Sequence, residues 1–175
     1  KIGIMVLTNQ ESGAAFNAIT NTILDLLLYE SDTEWIKIYK KMVTEQDSMV
    51  YAFVNSVSSN RDETSTPSLD LTAYTGTYHD QWYGDIVISQ EQKHLTINFT
   101  HTPDLTGQLE HWQYDTFIAR WNKRELRADA YLSFTLQPDG SIDHATMKPI
   151  SPATDFSFDF QDLHLKPVFN KKDKQ

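Results

Sequence analysis

The spacing of apolar residues changes twice along this chain, and the changes mark its elements. Ile2 to Leu7 is an almost unbroken apolar run, too short for a helix and of the kind found in a strand buried on both faces. Thr8-Asn9-Gln10-Glu11-Ser12-Gly13 ends it, and from Ala14 the period becomes helical. Ala15, Ile19, Ile23, Leu26 and Leu27 fall on one face, widened by Phe16 and Leu24, with Asn9 or Ser12 as a candidate cap. A strand feeding a helix is an α/β signature, and a lone strand needs a sheet to satisfy its backbone. Ser31-Asp32-Thr33-Glu34 has capping-box spacing, and behind it Trp35, Ile36, Tyr39, Met42, Val43, Met49, Val50, Phe53, Val54 and Val57 keep a helical period. That predicts a helix of about 25 residues, roughly 37 Å long. It reads as an amphipathic helix packing on the domain beside it; a membrane-surface helix is disfavoured because the polar face is mixed in sign rather than basic.

After a polar stretch containing Arg61-Asp62-Glu63-Thr64-Ser65-Thr66-Pro67, the period becomes two. Ile86 and Ile88 alternate with polar neighbours, as do Leu95, Ile97 and Phe99, then Phe117, Ala119 and Trp121, then Leu132, Phe134 and Leu136, and last Phe156, Phe158 and Phe160. Turn residues separate them at Gln90 to Lys93, Tyr114-Asp115-Thr116 and Pro138-Asp139-Gly140. With Tyr74 to Tyr78, Gly107 to Tyr114 and Ile142 to Lys148, about eight short strands are expected, each with one face on a core and one in water. So many strands in so short a segment predict an antiparallel eight-stranded barrel or tight sandwich, closure removing the exposed edges. The expected fold is mainly β, with an N-terminal strand and two helices. The expected segments are 1–30 (strand and helix), 31–58 (connecting helix), 59–68 (linker), 69–168 (barrel) and 169–175 (tail).

Composition narrows the partners. The chain has 175 residues, carries a formal charge of −9 and contains no cysteine. That charge repels a phosphate backbone, so nucleic acid is not an expected partner. Lack of cysteine removes disulfides and thiolate metal sites. No apolar stretch approaches the roughly 20 residues that span a bilayer. The opening Lys1-Ile2-Gly3-Ile4 starts directly on an apolar strand, which suggests a piece of a longer protein, and the strand and helix surfaces, suited to a sheet of that protein, would then need cover by folding onto the barrel or by pairing between chains.

Chemistry is sparse in the pattern. No serine has a lysine three residues on, no Tyr-x-Asn occurs, and Lys1-Ile2-Gly3 matches a Lys-x-Gly element without its partners. The six histidines form neither His-x-x-x-His nor His-Glu-x-x-His pairs. Glu110-His111-Trp112 is a suggestive cluster, but on a strand Glu110 and His111 face opposite ways. Trp82, Tyr83, His111, Trp112, Tyr114 and Trp121 are the candidate ligand-binding residues; aromatics of this kind either line a pocket or fill a small β-core. No catalytic residue, metal or cofactor is expected.

Two stretches resemble a known family. Gly3-Ile4-Met5-Val6-Leu7-Thr8-Asn9-Gln10, followed by a helix, resembles the last strand and helix of the catalytic domain in β-lactamase-related serine hydrolases. These are the penicillin-binding-protein-like enzymes that include class C β-lactamases and D-amino-acid peptidases. Leu71-Thr72-Ala73-Tyr74-Thr75-Gly76-Thr77-Tyr78, Tyr83-Gly84 and Leu105 to Phe117 resemble the lipocalin-like domain appended to some of them, with Gly76-Thr77-Tyr78 where lipocalins carry Gly-x-Trp. The resemblance implies an exported parent whose Ser-x-x-Lys, Tyr-x-Asn and Lys- or His-x-Gly elements lie upstream of Lys1. On that reading the chain is a non-catalytic accessory portion, partnered by the upstream catalytic domain or by a second copy through its N-terminal strand and helix. A small-ligand-binding barrel is the alternative.

Overall fold

Alternating side chains close a sheet on itself in the second half of the chain. The computed structural model describes residues 1–9, 12–28, 33–59 and 61–169. Two units divide the chain, Lys1–Phe53 and Val54–Gln175.

The first unit carries helix α1 (Gly13–Leu28) and most of α2 (Trp35–Ser59), which continues into the second. Both helices lie where the helical periods predicted them, and α2 has the expected 25 residues. Trp35 Nε1 donates to Asp25 Oδ2 at 2.7 Å and Asn21 Nδ2 donates to Tyr39 Oη at 3.1 Å, tying α1 to α2. Ser12 offers α1 its backbone carbonyl, accepting from Ala15 N at 3.0 Å. Ser31 and Asp32 of the expected capping box, and the tail 170–175, lie outside the described residues.

The expected N-terminal strand is not present: residues 1–8 form no strand. A strand is made by its neighbour's hydrogen bonds, and among the described residues every strand already has two neighbours. Apolar content there reflects surface to be buried, not a ladder.

The second unit is a closed barrel of β1 (Gly76–Asp80), β2 (Gly84–Glu91), β3 (His94–Phe99), β4 (Thr106–Gln113), β5 (Thr116–Trp121), β6 (Ala130–Leu136), β7 (Ile142–Pro149) and β8 (His164–Pro167). Each strand pairs antiparallel with its neighbour in sequence, and β1 with β8. The three turns read from sequence fall at the β2–β3, β4–β5 and β6–β7 hairpins. Inward positions Ile86, Ile88, Leu95, Ile97, Phe99, Phe117, Ala119, Trp121, Leu132 and Phe134 fill the interior. Tyr74, fully buried, plugs one end and packs edge-on against Phe117 with ring centroids 5.1 Å apart. Each large aromatic so buried contributes on the order of 3 kcal/mol.

Two further expectations are corrected. Phe156–Phe158 and Phe160–Asp162 are 3-10 turns rather than a strand. Asp159 between them is left-handed (φ 43°), which breaks extension, and Phe160 turns inward to stack on Trp121 at 5.9 Å. Spacing by two residues also suits a tight turn that sends Phe160 inward. The eighth strand is instead His164–Pro167, with Leu165 inside and His164 and Lys166 outside. Likewise Leu71–Tyr74 is a 3-10 turn, and β1 begins only at Gly76.

Candidate functional site

Closure of the barrel leaves a thin seam. β1 and β8 exchange only the Tyr78–Pro167 and His79–Lys166 pairs, extended by Val168 N donating to Thr77 O at 2.8 Å. Over this seam lies a groove of about 910 Å³. Its floor is the outward face of β1 and β8, where alternation presents His79, His164 and Lys166. One wall is the β1–β2 turn, Gln81-Trp82-Tyr83; the other is Asp159, Asp162 and Leu163.

Asp80 holds this arrangement. Its carboxylate is buried, Oδ1 accepting from Trp82 N at 2.8 Å and Tyr83 N at 3.0 Å, Oδ2 from His164 N at 2.9 Å. One side chain thus shapes the turn and fastens it to the start of β8. Burial alone raises its pKa, but the backbone donors of His164, Tyr83 and Trp82, with the His79 charge, outweigh that and hold it below the ordinary carboxylate range. Asp80→Asn keeps one acceptor but sets an amide donor against the His164 N–H or the turn's N–H groups. We expect it to lose roughly 1–3 kcal/mol of stability, read as a lower thermal midpoint; an unchanged midpoint counts against this role.

Imidazoles lie on the floor, at His79 and His164, and beside it on β7, at His144. His79 Nδ1 lies 2.7 Å from Asp85 Oδ1 across the β1–β2 rung. The His144 and His164 rings sit 4.4 Å apart on β7 and β8, with Asp143 Oδ2 2.7 Å from His144 Nδ1. Among the described residues no three His, Asp or Glu side chains form a metal-holding group.

Strand order separates the residues singled out from sequence. In a barrel of sequential neighbours, alternate turns lie at opposite ends, so the β1–β2 and β4–β5 turns cannot share a site. Trp82 is 83% exposed on the groove wall. Beside it Tyr83 packs edge-on against Phe99 at 5.5 Å and donates its hydroxyl to Phe158 O at 2.6 Å. Trp121 is at the same end but inside, fully buried, donating Nε1–H to Ala128 O at 2.6 Å. His111, Trp112 and Tyr114 occupy the other end. The His111 ring meets Phe117 at 5.5 Å with Nε2 2.9 Å from Tyr114 O, Trp112 leans on Tyr131 at 5.7 Å, and Tyr114 is an exposed left-handed turn residue.

Around that second end the 61–75 segment is fastened by Arg61 Nε to Trp112 O at 3.2 Å, Tyr114 N to Ser65 Oγ at 2.6 Å, and Ser68 N to Asp115 Oδ1 at 2.9 Å. Asp115 also accepts from the Tyr74 hydroxyl. Burial pushes the Tyr74 phenol well up, and the carboxylate beside it adds to the shift.

Sequence reasoning named Trp82 and Tyr83 but missed Asp80, His79, His164 and Lys166. Asp80 had a legible signal, an Asp opening a turn that ends on Gly84, the usual setting for a side-chain-to-backbone turn. The other three depend on the position of β8.

None of the curated proteins matches the chain. Among solved structures it is similar to the C-terminal domain of penicillin binding protein Rv0907, at 19% identity and a TM-score of 0.44, over 62% of this chain and 94% of that one. A family model described as a domain of unknown function, DUF3471, matches residues 60–167, which takes in every strand of the barrel, and the chain belongs to that family.

Proposed function

We propose that this chain is the non-catalytic C-terminal portion of a β-lactamase-related serine hydrolase, its barrel lipocalin-like and shaping substrate access or assembly. One observation carries the reading. In the Lys1–Phe53 unit Ile2, Met5, Leu7, Leu26, Ile36 and Met49 are each at least two-thirds exposed, and Ala18 is the one buried apolar side chain among the described residues. Surface of that kind on a two-helix unit calls for cover from another domain or a second copy. The resemblance of Gly3 to Gln10 to the last strand of a hydrolase sheet supplies the first candidate. The sequential order of the eight strands, closed by β1 on β8, supports the lipocalin-like description of the barrel.

The test compares a full-length parent enzyme with one truncated near Thr66. We expect the truncation to change turnover, substrate range or oligomeric state on peptide and ester substrates. All three unchanged would rule the accessory role out.

A second reading, a small-ligand-binding module, is favoured by the groove at the β1–β8 seam. The barrel interior is occupied by the domain's own rings, so a ligand would sit on the outer face, against Trp82.

A further inference from the structure

The groove has features that point to a class of ligand, on the footing of the second reading above. Its volume of about 910 Å³ is near the upper end of the range for small-molecule sites, roughly 300–1,000 Å³. Trp82 on its wall is 83% exposed and has no ring partner among the described residues. An isolated surface tryptophan needs no explanation. This one is different because its backbone is pinned: Trp82 N and Tyr83 N both donate to the buried Asp80, which also holds His164 on the groove floor. The indole is therefore a flat apolar face presented from a fixed turn, with little backbone entropy left to lose on binding.

Polar groups facing that indole are mixed in sign. Asp159 and Asp162 line the opposite wall, and His79, His164 and Lys166 line the floor. A strongly anionic ligand meets the two carboxylates, and a strongly cationic one meets the ammonium. A neutral ligand dense in hydroxyls suits all of them, its O–H groups donating to carboxylates and its oxygens accepting from ammonium and imidazole. A gluco-configured pyranose adds the remaining feature: its hydroxyls are equatorial, leaving a C–H face that packs flat on an indole.

We propose that this groove binds a neutral, gluco-configured oligosaccharide, with Trp82 as the stacking platform and Asp162 as a hydroxyl acceptor.

The test titrates the full chain with cellotetraose and, separately, tetra-N-acetylchitotetraose, following tryptophan fluorescence and backbone amide NMR. The expected result is a saturable response to at least one sugar at roughly millimolar concentration or below, with shifts confined to the Trp82 turn, β1 and β8. Trp82→Ala should weaken binding roughly tenfold or more while leaving the thermal midpoint unchanged, since the side chain is exposed. Asp162→Asn should weaken it less. No saturable response to either sugar, or a response that survives Trp82→Ala, overturns the proposal. Parallel titration with anilinonaphthalene sulfonate separates the levels of failure. If this amphipathic probe shifts the Trp82 turn while both sugars are silent, the carbohydrate assignment falls and the ligand-binding reading stands. Silence from all three removes both.

Discussion

Gly107→Ala is expected to lower stability by about 3 kcal/mol or more, a fall of roughly 12–20 °C in thermal midpoint for a domain of this size. Gly107 is buried on β4, opposite Trp121 of β5 and Ile97 of β3. A Cβ at this position would lie 2.8 Å from Arg120 C and 2.9 Å from Trp121 Cα, and closer still to the Arg120 carbonyl oxygen. These are backbone atoms in the middle of a paired strand, so no side-chain rotation relieves the overlap. Carbon atoms pack best at about 3.5–4.0 Å, and β5 must therefore move away or the β4–β5 ladder must shear. Either disturbs Trp121, whose indole is wedged between Phe99 and Phe160 and bonded to Ala128 O.

Gly140→Ala is the informative contrast. Gly140 has φ +85°, and a methyl added there meets nothing within 4 Å, so its cost is conformational, about 1–2 kcal/mol. Gly107 is needed for space and Gly140 for its dihedral. Denaturant unfolding monitored by tryptophan fluorescence resolves the two, and equal midpoints for Gly107→Ala and the parent would refute the steric argument.

How legible the fold was depends on what each stretch records. β2, β3, β5 and β6 were plain in the sequence because each sends two or three large apolar residues inward with polar neighbours between them, and the barrel's interior demands that alternation. β8 was not. It is four residues long with one inward side chain, Leu165, and a period cannot be seen in one element. Ile2 to Leu7 looked like a strand because hydrophobicity reports the burial a segment is suited to, while strand geometry needs a partner to supply hydrogen bonds. Phe156 to Phe160 misled for a related reason: apolar residues two apart suit a strand and a tight turn alike, and the left-handed Asp159 tells them apart.

The candidate site was legible by type but not by grouping. Trp82 and Tyr83 stood out as aromatics beside a turn, as did His111, Trp112 and Tyr114. Placing one pair at one end of the barrel and the trio at the other requires the strand order, and the floor of the groove requires β8. Local pattern yields elements; a site built across a closure seam between the first and last strands is the least local object in the fold.

Asp129→Asn is expected to destabilise the barrel by about 2–3 kcal/mol at neutral pH, and the difference from the parent should shrink as the pH falls below about 4. Asp129 lies just before β6, its side chain 15% exposed. Oδ2 accepts from Arg120 Nη1 at 2.9 Å, and the two carboxylate oxygens accept from Arg124 Nη1 and Nη2 at 2.7 and 2.8 Å. Arg120 also reaches Glu110 Oε2 at 3.1 Å, so the carboxylate anchors a charged patch between the β5–β6 loop and the outer face of β4. Burial raises the Asp129 pKa, but Arg124 and then Arg120 outweigh it, leaving the folded value below the ordinary one.

A folded pKa below the unfolded value means the folded state holds the charged form more tightly. The stabilisation is therefore complete above the unfolded pKa of about 3.9 and disappears as pH drops through the depressed folded value. Removing the charge at neutral pH leaves Arg120, one-third exposed, with Glu110 alone; Arg124, largely exposed, adds little. The parent should lose stability steeply as the pH falls below about 4, and Asp129→Asn less steeply, the two curves converging in acid. Midpoints measured across that range decide it. A constant offset at every pH would mean that Asp129 acts through shape and hydrogen bonding, and that its charge contributes nothing.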